Sequence, residues 1–320
     1  MRQFALGRSG PQVSALSLGC LNFGTNTSKE VSYQLLEQYL EAGGSFLDTS
    51  NNYAFWNGDG VGGQSETLLG QWMKEKGNRQ ELFLATKTGA NPTIAGGGFS
   101  DKEGLSRAAI HKAVDESLER LQTDYIDLYY AHIDDMDVPL EETLEAFNEL
   151  VQAGKVRHIG CSNHYTWRLE EARSISHTHG WASYQCIQQR HSYLRPRAGA
   201  DFDVQISTSE EMLKYLELHP DVALLAYSPL LNGAYTREDR PVPVQYAGPD
   251  AEARIQVLGQ IAEETGATRN QIVLAWMLQS TPSALPVIAA STPEQLKENL
   301  QALDVTLTQQ QLQRLHQATY

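Results

Sequence analysis

The chain has 320 residues, of which 41% are hydrophobic and 20% are charged, and its 25 basic and 39 acidic side chains give a formal net charge of −14. This length and composition are typical of a globular protein with one large domain or two medium ones. The acidic balance argues against nucleic acid or an anionic membrane surface as the main partner, since both need clustered Lys and Arg.

Targeting and cysteine signals are sparse. No apolar run approaches the ~18 residues of a membrane span, and the opening residues MRQFALGRSG have no apolar signal core, so we expect a cytoplasmic protein. Cys20, Cys161 and Cys186 are widely spaced, which favours buried free thiols over a disulfide framework or a zinc motif. The histidines between His158 and His191 lack metal-ligand spacing, and no metal is expected.

The first predicted element is a short hairpin. The segment FALGRSGPQVSAL places turn residues from Gly7 to Pro11 between apolar flanks, a pattern typical of two short strands joined by a turn. No Pro/Gly/Ser-rich linker and no charge block follows it, so we expect one domain over residues 1–320.

Eight short apolar runs, rich in β-branched, leucine and aromatic residues, come next. They are SALSLGCL (14–21), SFLDTS (45–50), LFLATKT (82–88), YIDLYYAHI (125–133), VRHIGCSN (156–163), YQCIQQ (184–189), VALLAYSP (222–229) and ALPVIAAS (284–291). Runs of this kind predict strands that are buried on both faces.

Amphipathic segments separate these runs. Helical spacing is found in three sets: Ile110, Val114, Leu118 and Leu121; Leu140, Leu144, Phe147 and Val151; and Ile272, Ala275, Trp276 and Gln279. Near the end, Thr292-Pro293-Glu294-Gln295 combines an N-cap, a proline at the first helical position and a capping-box glutamine. Thr308 with Gln311 offers a weaker box.

Alternating strands and helices leave two architectures open. One is a closed parallel (β/α)8 TIM barrel, with the N-terminal hairpin capping its floor, and the other is an open doubly wound sheet. Eight units in about this length favour the barrel.

Polar groups end several of the predicted strands. Chemistry in a barrel sits at the carboxyl ends of its strands, and there the sequence places Asp48, Lys87, His132, Ser162 with Asn163, Gln188, and Tyr227 with Ser228. Tyr53 follows Asp48 after four residues.

Four of these groups predict a proton-transfer site. A free tyrosine, with a pKa near ~10, is a poor acid unless its phenolate is stabilised. A neighbouring ammonium would stabilise it, and a carboxylate would hold the ammonium. We therefore predict that Asp48 and Lys87 make Tyr53 a proton donor and that His132 orients a carbonyl oxygen, as general acid catalysis of carbonyl reduction requires.

The order of motifs also carries a resemblance. LGRSGPQVSALSLGCLNFG, LDTSNNY, LATKTG, YYAHIDD, GCSNH, AYSPL and TPEQLKEN follow one another along the chain. Together they resemble the aldo-keto reductases over nearly the whole length. The resemblance implies a barrel that binds a nicotinamide dinucleotide without a Rossmann domain and passes its hydride to a carbonyl carbon.

The resemblance also implies roles for individual residues. Tyr53 would be the general acid and base, tuned by Lys87 and Asp48, and His132 would position the substrate. Ser162, Asn163 and Gln188 would hold the nicotinamide carboxamide, Tyr227 would stack on its ring, Ser228, Leu230 and Gly233 would line the pyrophosphate, and Glu298 and Asn299 would meet the adenine. The remaining predicted cofactor contacts are Gly19, Arg237, Ser291 and Gln295.

The phosphate end of the cofactor site leaves NADP and NAD open. A helix beginning near Thr292 would favour anions at its N-terminus. Family members often place Lys or Arg in this turn to select NADP, whereas this chain has Ala289, Ala290, Ser291 and Gln295 there. Arg237 and Arg240 could substitute, since a guanidinium suits phosphate. NADP is our prediction, with NAD as the alternative.

Further features bear on function. Gly58 to Gly63 match G-x-G-x-x-G but come well after the strand end, so we interpret them as a loop and not as a dinucleotide turn. Trp56 and His191 are candidate pocket walls, and a mixed aromatic and polar mouth would suit a sugar-like carbonyl compound. Two competing functions stay open: a cofactor-binding redox-sensing subunit resembling the potassium-channel β subunits, and a barrel lyase or isomerase.

Overall fold

A computed structural model describes residues 1–8, 10–57, 61–94 and 96–319. Its strands are β1 (Gln3–Ala5), β2 (Gln12–Ser14), β3 (Ser17–Gly19), β4 (Phe46–Asp48), β5 (Phe83–Thr88), β6 (Ile126–Ala131), β7 (Val156–Ser162), β8 (Cys186–Arg190), β9 (Ala223–Tyr227) and β10 (Ala284–Ile288). Its helices are α1 (Lys29–Glu41), α2 (Gln64–Lys76), α3 (Arg107–Leu121), α4 (Leu140–Gln152), α5 (Thr166–His179), α6 (Glu210–Leu218), α7 (Pro249–Thr265), α8 (Arg269–Gln279), α9 (Pro293–Gln301) and α10 (Gln309–Gln317).

Strands β3 to β10 form a closed parallel barrel with helices between them. They follow chain order around the barrel, and β10 closes it by pairing with β3 through Val287↔Ser17 and Ile288↔Leu18. Seven of the eight apolar runs contain one of these strands completely, and the run 184–189 stops one residue before β8 ends at Arg190. The three helical patterns lie in α3, α4 and α8. The predicted (β/α)8 barrel is therefore confirmed, and the open doubly wound sheet is wrong.

The N-terminal hairpin closes one end of the barrel. Strands β1 and β2 pair antiparallel, with Gln3 opposite Ser14. Leu6 and Val13 are fully buried and pack in one cluster with Phe46 and other residues of the barrel strands. Because Phe46 begins β4, this cluster lies at the amino-terminal end of the barrel, and the hairpin caps its floor as predicted.

The predicted capping boxes come out differently from the sequence expectation. In α10 the box is complete: Thr308 Oγ1 accepts from the Gln311 N–H at 3.2 Å, and Gln311 Oε1 accepts from the Thr308 N–H at 3.0 Å. In α9 Thr292 is the N-cap, but Gln295 Oε1 accepts from the Ser291 N–H at 2.8 Å. The predicted box at Gln295 is thus wrong, because its side chain reaches one residue further back and satisfies an N–H group outside the helix.

Three further observations concern the described part of the chain. Cys20, Cys161 and Cys186 are buried free thiols, as predicted. Within the described ranges, no helix is both long and apolar enough to cross a lipid bilayer. The same ranges contain no group of three or more His, Cys, Asp or Glu side chains arranged to hold a metal ion.

The floor packing makes a stability prediction. Replacing Leu6 by Ala removes a fully buried side chain from the barrel interior, and such truncations cost about 2–5 kcal/mol. Urea unfolding should show this loss, whereas Gln3→Ala, at an exposed position of β1, should cost much less. Equal losses for the two variants would contradict the role of the hairpin as a packed floor.

Candidate active site

Four predicted residues converge at the carboxyl end of the barrel. Asp48 is the last residue of β4, Lys87 lies near the end of β5, and His132 directly follows β6. Tyr53 lies in the turn after β4, where its N–H bonds to the Ser50 carbonyl at 3.3 Å. Parallel strands with a common direction bring these side chains to one rim although the sequence separates them.

A buried ion pair forms the centre of the site. Lys87 Nζ lies 2.5 Å from Asp48 Oδ1, and both side chains are fully buried. Lys87 Nζ also donates to the Thr49 carbonyl at 2.7 Å and to the Tyr53 phenol oxygen at 2.8 Å. An ammonium has three protons, so these three acceptors use all of them.

This arrangement leaves the phenol proton of Tyr53 weakly held. Because Lys87 donates to the phenol oxygen, the phenol proton must point elsewhere. Its acceptor in the structure is Asp48 Oδ1 at 3.4 Å, which is long for an O–H···O bond. The proton of Tyr53 is therefore available to a group that binds beside the phenol.

Burial dominates the ionisation of these groups. Burial raises the pKa of Tyr53 well above its ordinary value, and the negative charge of Asp48 acts in the same direction. Burial also lowers the pKa of Lys87, although Asp48 opposes this effect. Because Lys87 is paired with Asp48, burial outweighs the positive charge beside the phenol, and the pKa of Tyr53 is raised and not lowered. Tyr53 stays protonated.

His132 lies beside Tyr53 as a neutral imidazole. The centroids of the two rings are 6.2 Å apart, and His132 Nδ1 lies 3.1 Å from Ser50 Oγ. Burial, helped by the positive charge of Lys87, lowers the pKa of His132 well below its ordinary value. The backbone of His132 is held on both sides, by its N–H to Thr88 O at 2.9 Å and by its carbonyl to Asn163 Nδ2 at 3.0 Å.

The residues predicted to hold a carboxamide are linked to this centre. Gln188 Nε2 donates to Asp48 Oδ2 at 2.8 Å, and Ser162 Oγ donates to the Gln188 carbonyl at 2.7 Å. Asn163 Oδ1 accepts from the Tyr227 hydroxyl at 2.8 Å, which fixes the orientation of the Tyr227 ring at the end of β9. Hydroxyl, amide and aromatic groups are thus gathered over the ends of β7, β8 and β9.

The loop after β9 has an uncommon backbone. Ser228, Leu231 and Asn232 have positive φ angles of 54°, 48° and 56°, and Gly233 follows at 94°. Residues other than glycine rarely adopt such angles, and where they do the strain clusters at functional sites. A Cβ at Gly233 would also lie 2.9 Å from Arg237 Cδ.

The side chains predicted for the adenine end bond to other parts of the protein. Glu298 Oε1 accepts from Thr268 Oγ1 at 2.7 Å, and Asn299 Nδ2 donates to the Ala289 carbonyl at 3.2 Å. The predicted phosphate ligand Arg237 pairs with Asp239 of its own loop at 2.5 Å.

The other predicted residues have varied surroundings. Gly19 ends β3, and a Cβ there would crowd Val287 Cγ1 at 3.1 Å, so close strand packing explains it. Trp56 is 46% exposed and places its edge against the Tyr53 ring, with centroids 6.4 Å apart. His191 stacks on Trp276 of α8, with centroids 5.7 Å apart.

The glycine-rich motif is only partly visible. Gly58, and with it residues 59 and 60, lies outside the described residues. Gly62 and Gly63 both have φ of 82°, and Gly63 immediately precedes α2.

One known protein family accounts for almost the whole chain. The model of the Aldo/keto reductase family matches residues 15–319. The chain belongs to this family. It is 30% identical over 313 residues to the uncharacterized oxidoreductase YrpG of Bacillus subtilis (strain 168), with 97% of this chain and 94% of that protein covered.

Two further relatives agree. Norsolorinic acid reductase stcV of Emericella nidulans is 32% identical over 318 residues, with 95% of this chain and 78% of that protein covered. The crystal structure of the thermostable aldo-keto reductase Tm1743 in complex with the inhibitor epalrestat is 30% identical, with a TM-score of 0.76 and 98% of each chain covered. The resemblance seen in the motifs is confirmed, and this aldo-keto reductase is an oxidoreductase.

Two residues of this aldo-keto reductase site, Ser50 and Glu103, were not predicted from the sequence. Ser50 contacts His132, and its place in the polar run after Asp48 was a usable signal. Glu103 Oε1 accepts from Asn51 Nδ2 at 2.8 Å and from the Gly89 N–H at 2.7 Å, and so joins the loop that carries Tyr53 to the end of β5. Its position inside a long loop carried no signal.

The partly buried His191 predicts a pH effect on stability. Burial, together with Arg254, lowers the pKa of His191 to about 4 from the ordinary 6.5, so the unfolded chain binds a proton more readily between these values. Lowering the pH through this window should therefore reduce the free energy of unfolding. His191→Phe keeps a ring against Trp276 and should remove about 2 to 3 kcal/mol of this pH dependence.

Denaturant unfolding of both forms at pH 7 and pH 4 measures the effect. The two proteins should differ in the change between the two pH values, and not merely in stability at either one. Identical pH dependence would contradict the lowered pKa of His191 in the folded protein.

Proposed function

We propose that this aldo-keto reductase reduces an aldehyde or ketone to an alcohol with NAD(P)H and that Tyr53 is its general acid, acting as the base in the reverse direction. The proposal rests on one observation: Lys87 Nζ donates its three hydrogen bonds to Asp48, to the Thr49 carbonyl and to the Tyr53 phenol oxygen. The proton of the Tyr53 phenol is therefore free to be donated to a carbonyl oxygen. Family membership supports the same reaction class.

The residues present fit a nicotinamide dinucleotide. Ser162, Asn163 and Gln188 carry the hydroxyl and amide groups that a carboxamide requires, and the tethered Tyr227 ring would stack on the nicotinamide. The left-handed backbone of the loop after β9 suits close approach by a pyrophosphate, where Ser228, Leu230 and Gly233 would lie. Gln295, Glu298 and Asn299 would meet the adenosine part. When bound, the dinucleotide supplies the hydride that the carbonyl carbon receives.

The side chains of the centre would divide the work of proton transfer. Tyr53 gives its proton to the carbonyl oxygen, and Lys87, already donating to the phenol oxygen at 2.8 Å, stabilises the phenolate as it forms. Asp48 keeps the ammonium charged and in place. Because Asp48 and Lys87 are fully buried, water does not screen them, and each charge acts more strongly than it would in solvent.

The side chains around Tyr53 suit a substrate with both apolar and polar groups. Trp56 and Phe55 pack edge to face, with centroids 5.0 Å apart, and Phe99 joins Phe55 at 5.4 Å. Trp56 lies next to the Tyr53 ring, and His132 offers a polar group beside the same ring. A carbonyl compound with both an apolar part and hydroxyl groups, as in a sugar-like aldehyde, fits this pair of surfaces.

Removing the phenol hydroxyl tests the catalytic assignment. Tyr53→Phe should lower kcat for aldehyde reduction by about 10²- to 10⁴-fold, the usual contribution of a positioned acid, while the affinity for NADPH stays unchanged. NADPH consumption with a panel of aldehydes, ketones and sugars measures the first quantity, and tryptophan fluorescence measures the second. Tyr165→Phe, at an exposed position, is the matched control.

The outcomes separate the competing functions. Equal rates for wild type and Tyr53→Phe would overturn the role of Tyr53. Cofactor binding without any turnover in the wild type would favour a regulatory subunit, and no binding of either dinucleotide would favour a lyase or isomerase.

The pairing of Arg237 with Asp239 tests the preference for NADP. If Arg237 meets the 2′-phosphate, Arg237→Ala should weaken NADPH binding by about tenfold, the value of a hydrogen bond to a charged group. Asp239→Asn should tighten NADPH binding, because it releases the guanidinium. NADH affinity should stay unchanged in both variants, and fluorescence titration measures each constant. Equal changes for the two dinucleotides would contradict the assignment.

A further inference from the structure

Ser50 is a buried residue that lies between the Tyr53 turn and the side chain of His132. It lies in the turn between Asp48 and Tyr53 and is fully buried. Its Oγ lies 2.8 Å from Asn52 Oδ1 and 3.1 Å from His132 Nδ1. One hydroxyl thus bridges the turn that carries Tyr53 and the ring of His132.

The orientation of the Asn52 amide follows from its second contact. Asn52 Nδ2 donates to the Ala90 carbonyl at 3.3 Å. A carbonyl oxygen only accepts, so the amide nitrogen must face Ala90 and Oδ1 must face Ser50. The reverse orientation would place two oxygens against each other.

The single hydroxyl proton of Ser50 is therefore donated to Asn52 Oδ1. Asn52 Oδ1 is an acceptor, and Asn52 is only 1% exposed. Within the described part of the chain, this oxygen accepts its hydrogen bond from Ser50 Oγ. If the hydroxyl turned toward His132, the amide oxygen would be buried without a hydrogen bond, which costs about 1–3 kcal/mol. The network consequently directs the Ser50 proton to Asn52.

His132 must then supply the proton of its own bond to Ser50. With the hydroxyl proton spent, Ser50 Oγ can only accept from Nδ1, so Nδ1 carries a hydrogen. Burial lowers the pKa of His132, and a neutral imidazole has one N–H. Nε2 is therefore the bare nitrogen, and no hydrogen-bond partner for it is found among the described residues.

We propose that Ser50 is a positioning residue that holds His132 as its Nδ1–H tautomer, so that Nε2 accepts a hydrogen bond from a hydroxyl group of the ligand. The identity of the ligand as a substrate rests on the proposed reduction, whereas the tautomer of His132 follows from the hydrogen bonds alone. An imidazole with its proton on Nδ1 cannot donate from Nε2, so His132 would position the ligand by accepting a hydrogen bond.

The position of His132 indicates which hydroxyl it meets. The centroids of the Tyr53 and His132 rings lie 6.2 Å apart, which is close enough for one small ligand to place its carbonyl oxygen at the phenol and a group on the neighbouring carbon at the imidazole. The substrate class is therefore a carbonyl compound with a hydroxyl group on the adjacent carbon.

Nitrogen NMR of the ligand-free protein tests the tautomer without reference to activity. The protein is labelled with ¹⁵N at histidine, and His132→Gln identifies the signals of His132 by their loss. Long-range proton–nitrogen correlations at neutral pH should show a protonated Nδ1 and a bare Nε2. A protonated Nε2 in the wild type overturns the proposal.

Two variants test the cause of the tautomer. Ser50→Ala removes the acceptor and should release His132 toward the Nε2–H form. Asn52→Leu removes the amide oxygen, frees the Ser50 proton for Nδ1 and should produce the same reversal with Ser50 still present. Ser65→Ala deletes another buried hydroxyl, bonded to Thr49 and Cys20, and should leave the tautomer unchanged. An unchanged tautomer in both Ser50→Ala and Asn52→Leu overturns the role of Ser50.

A matched pair of aldehydes tests the consequence for the substrate. In Ser50→Ala, kcat/KM for 2-hydroxypropanal should fall about two- to tenfold more than for propanal, the value of one neutral hydrogen bond. Equal falls overturn the hydroxyl assignment while Tyr53 catalysis stands. If neither aldehyde is reduced by the wild type, the proposed reduction fails, and the NMR result alone then decides the tautomer.

Discussion

The buried contact between Lys87 and Asp48 is the constraint on which the site depends. Two opposite charges without solvent are tolerated only where geometry and further hydrogen bonds compensate for lost hydration. Here Thr49 and Tyr53 take the other protons of the ammonium, and Gln188 donates to the second carboxylate oxygen at 2.8 Å. Removing any one partner would leave a buried charge incompletely satisfied, so these residues act as one unit.

The barrel lowers the conformational entropy that is lost when Asp48, Lys87 and their partners come together. Asp48 and Lys87 belong to neighbouring strands whose ladder pairs Asp48 with Ala85, and the backbone is therefore ordered before any side chain is considered. His132 extends the next ladder, between β5 and β6, through its bond to Thr88. The side chains lose only rotamer freedom when they meet, because strand pairing has already oriented their backbones.

Much of this arrangement could be predicted from local sequence signals. An apolar run that stops at a polar residue marks both a buried strand and its end, which is why Asp48, Lys87 and His132 were placed on one rim. Other features depend on tertiary neighbours. The raised pKa of Tyr53 follows from burial that no local pattern encodes, and the bond between Ser50 and His132 joins residues 82 positions apart.

Short-range competition explains the remaining differences. Arg237 was predicted from its charge, but Asp239, only two residues away, is close enough to pair with it. Gln295 has the spacing of a capping box, yet the turn from β10 presents the N–H of Ser291 to it. In both cases the residue type was informative, whereas its partner depended on backbone directions that appear only in the fold.

The division between strands and loops has a consequence for redesign. Asp48, Lys87 and Gln188 are anchored within the barrel wall, while Trp56 and Phe99 belong to connections that contribute nothing to the strand ladder. Under the proposed function, the segments that carry Trp56 and Phe99 could be exchanged to admit other carbonyl compounds while the contacts among Asp48, Lys87 and Tyr53 are kept. Only the stretch from Thr49 to Tyr53 must be kept unchanged, since it is a loop at the entrance and also carries groups that bond to Lys87.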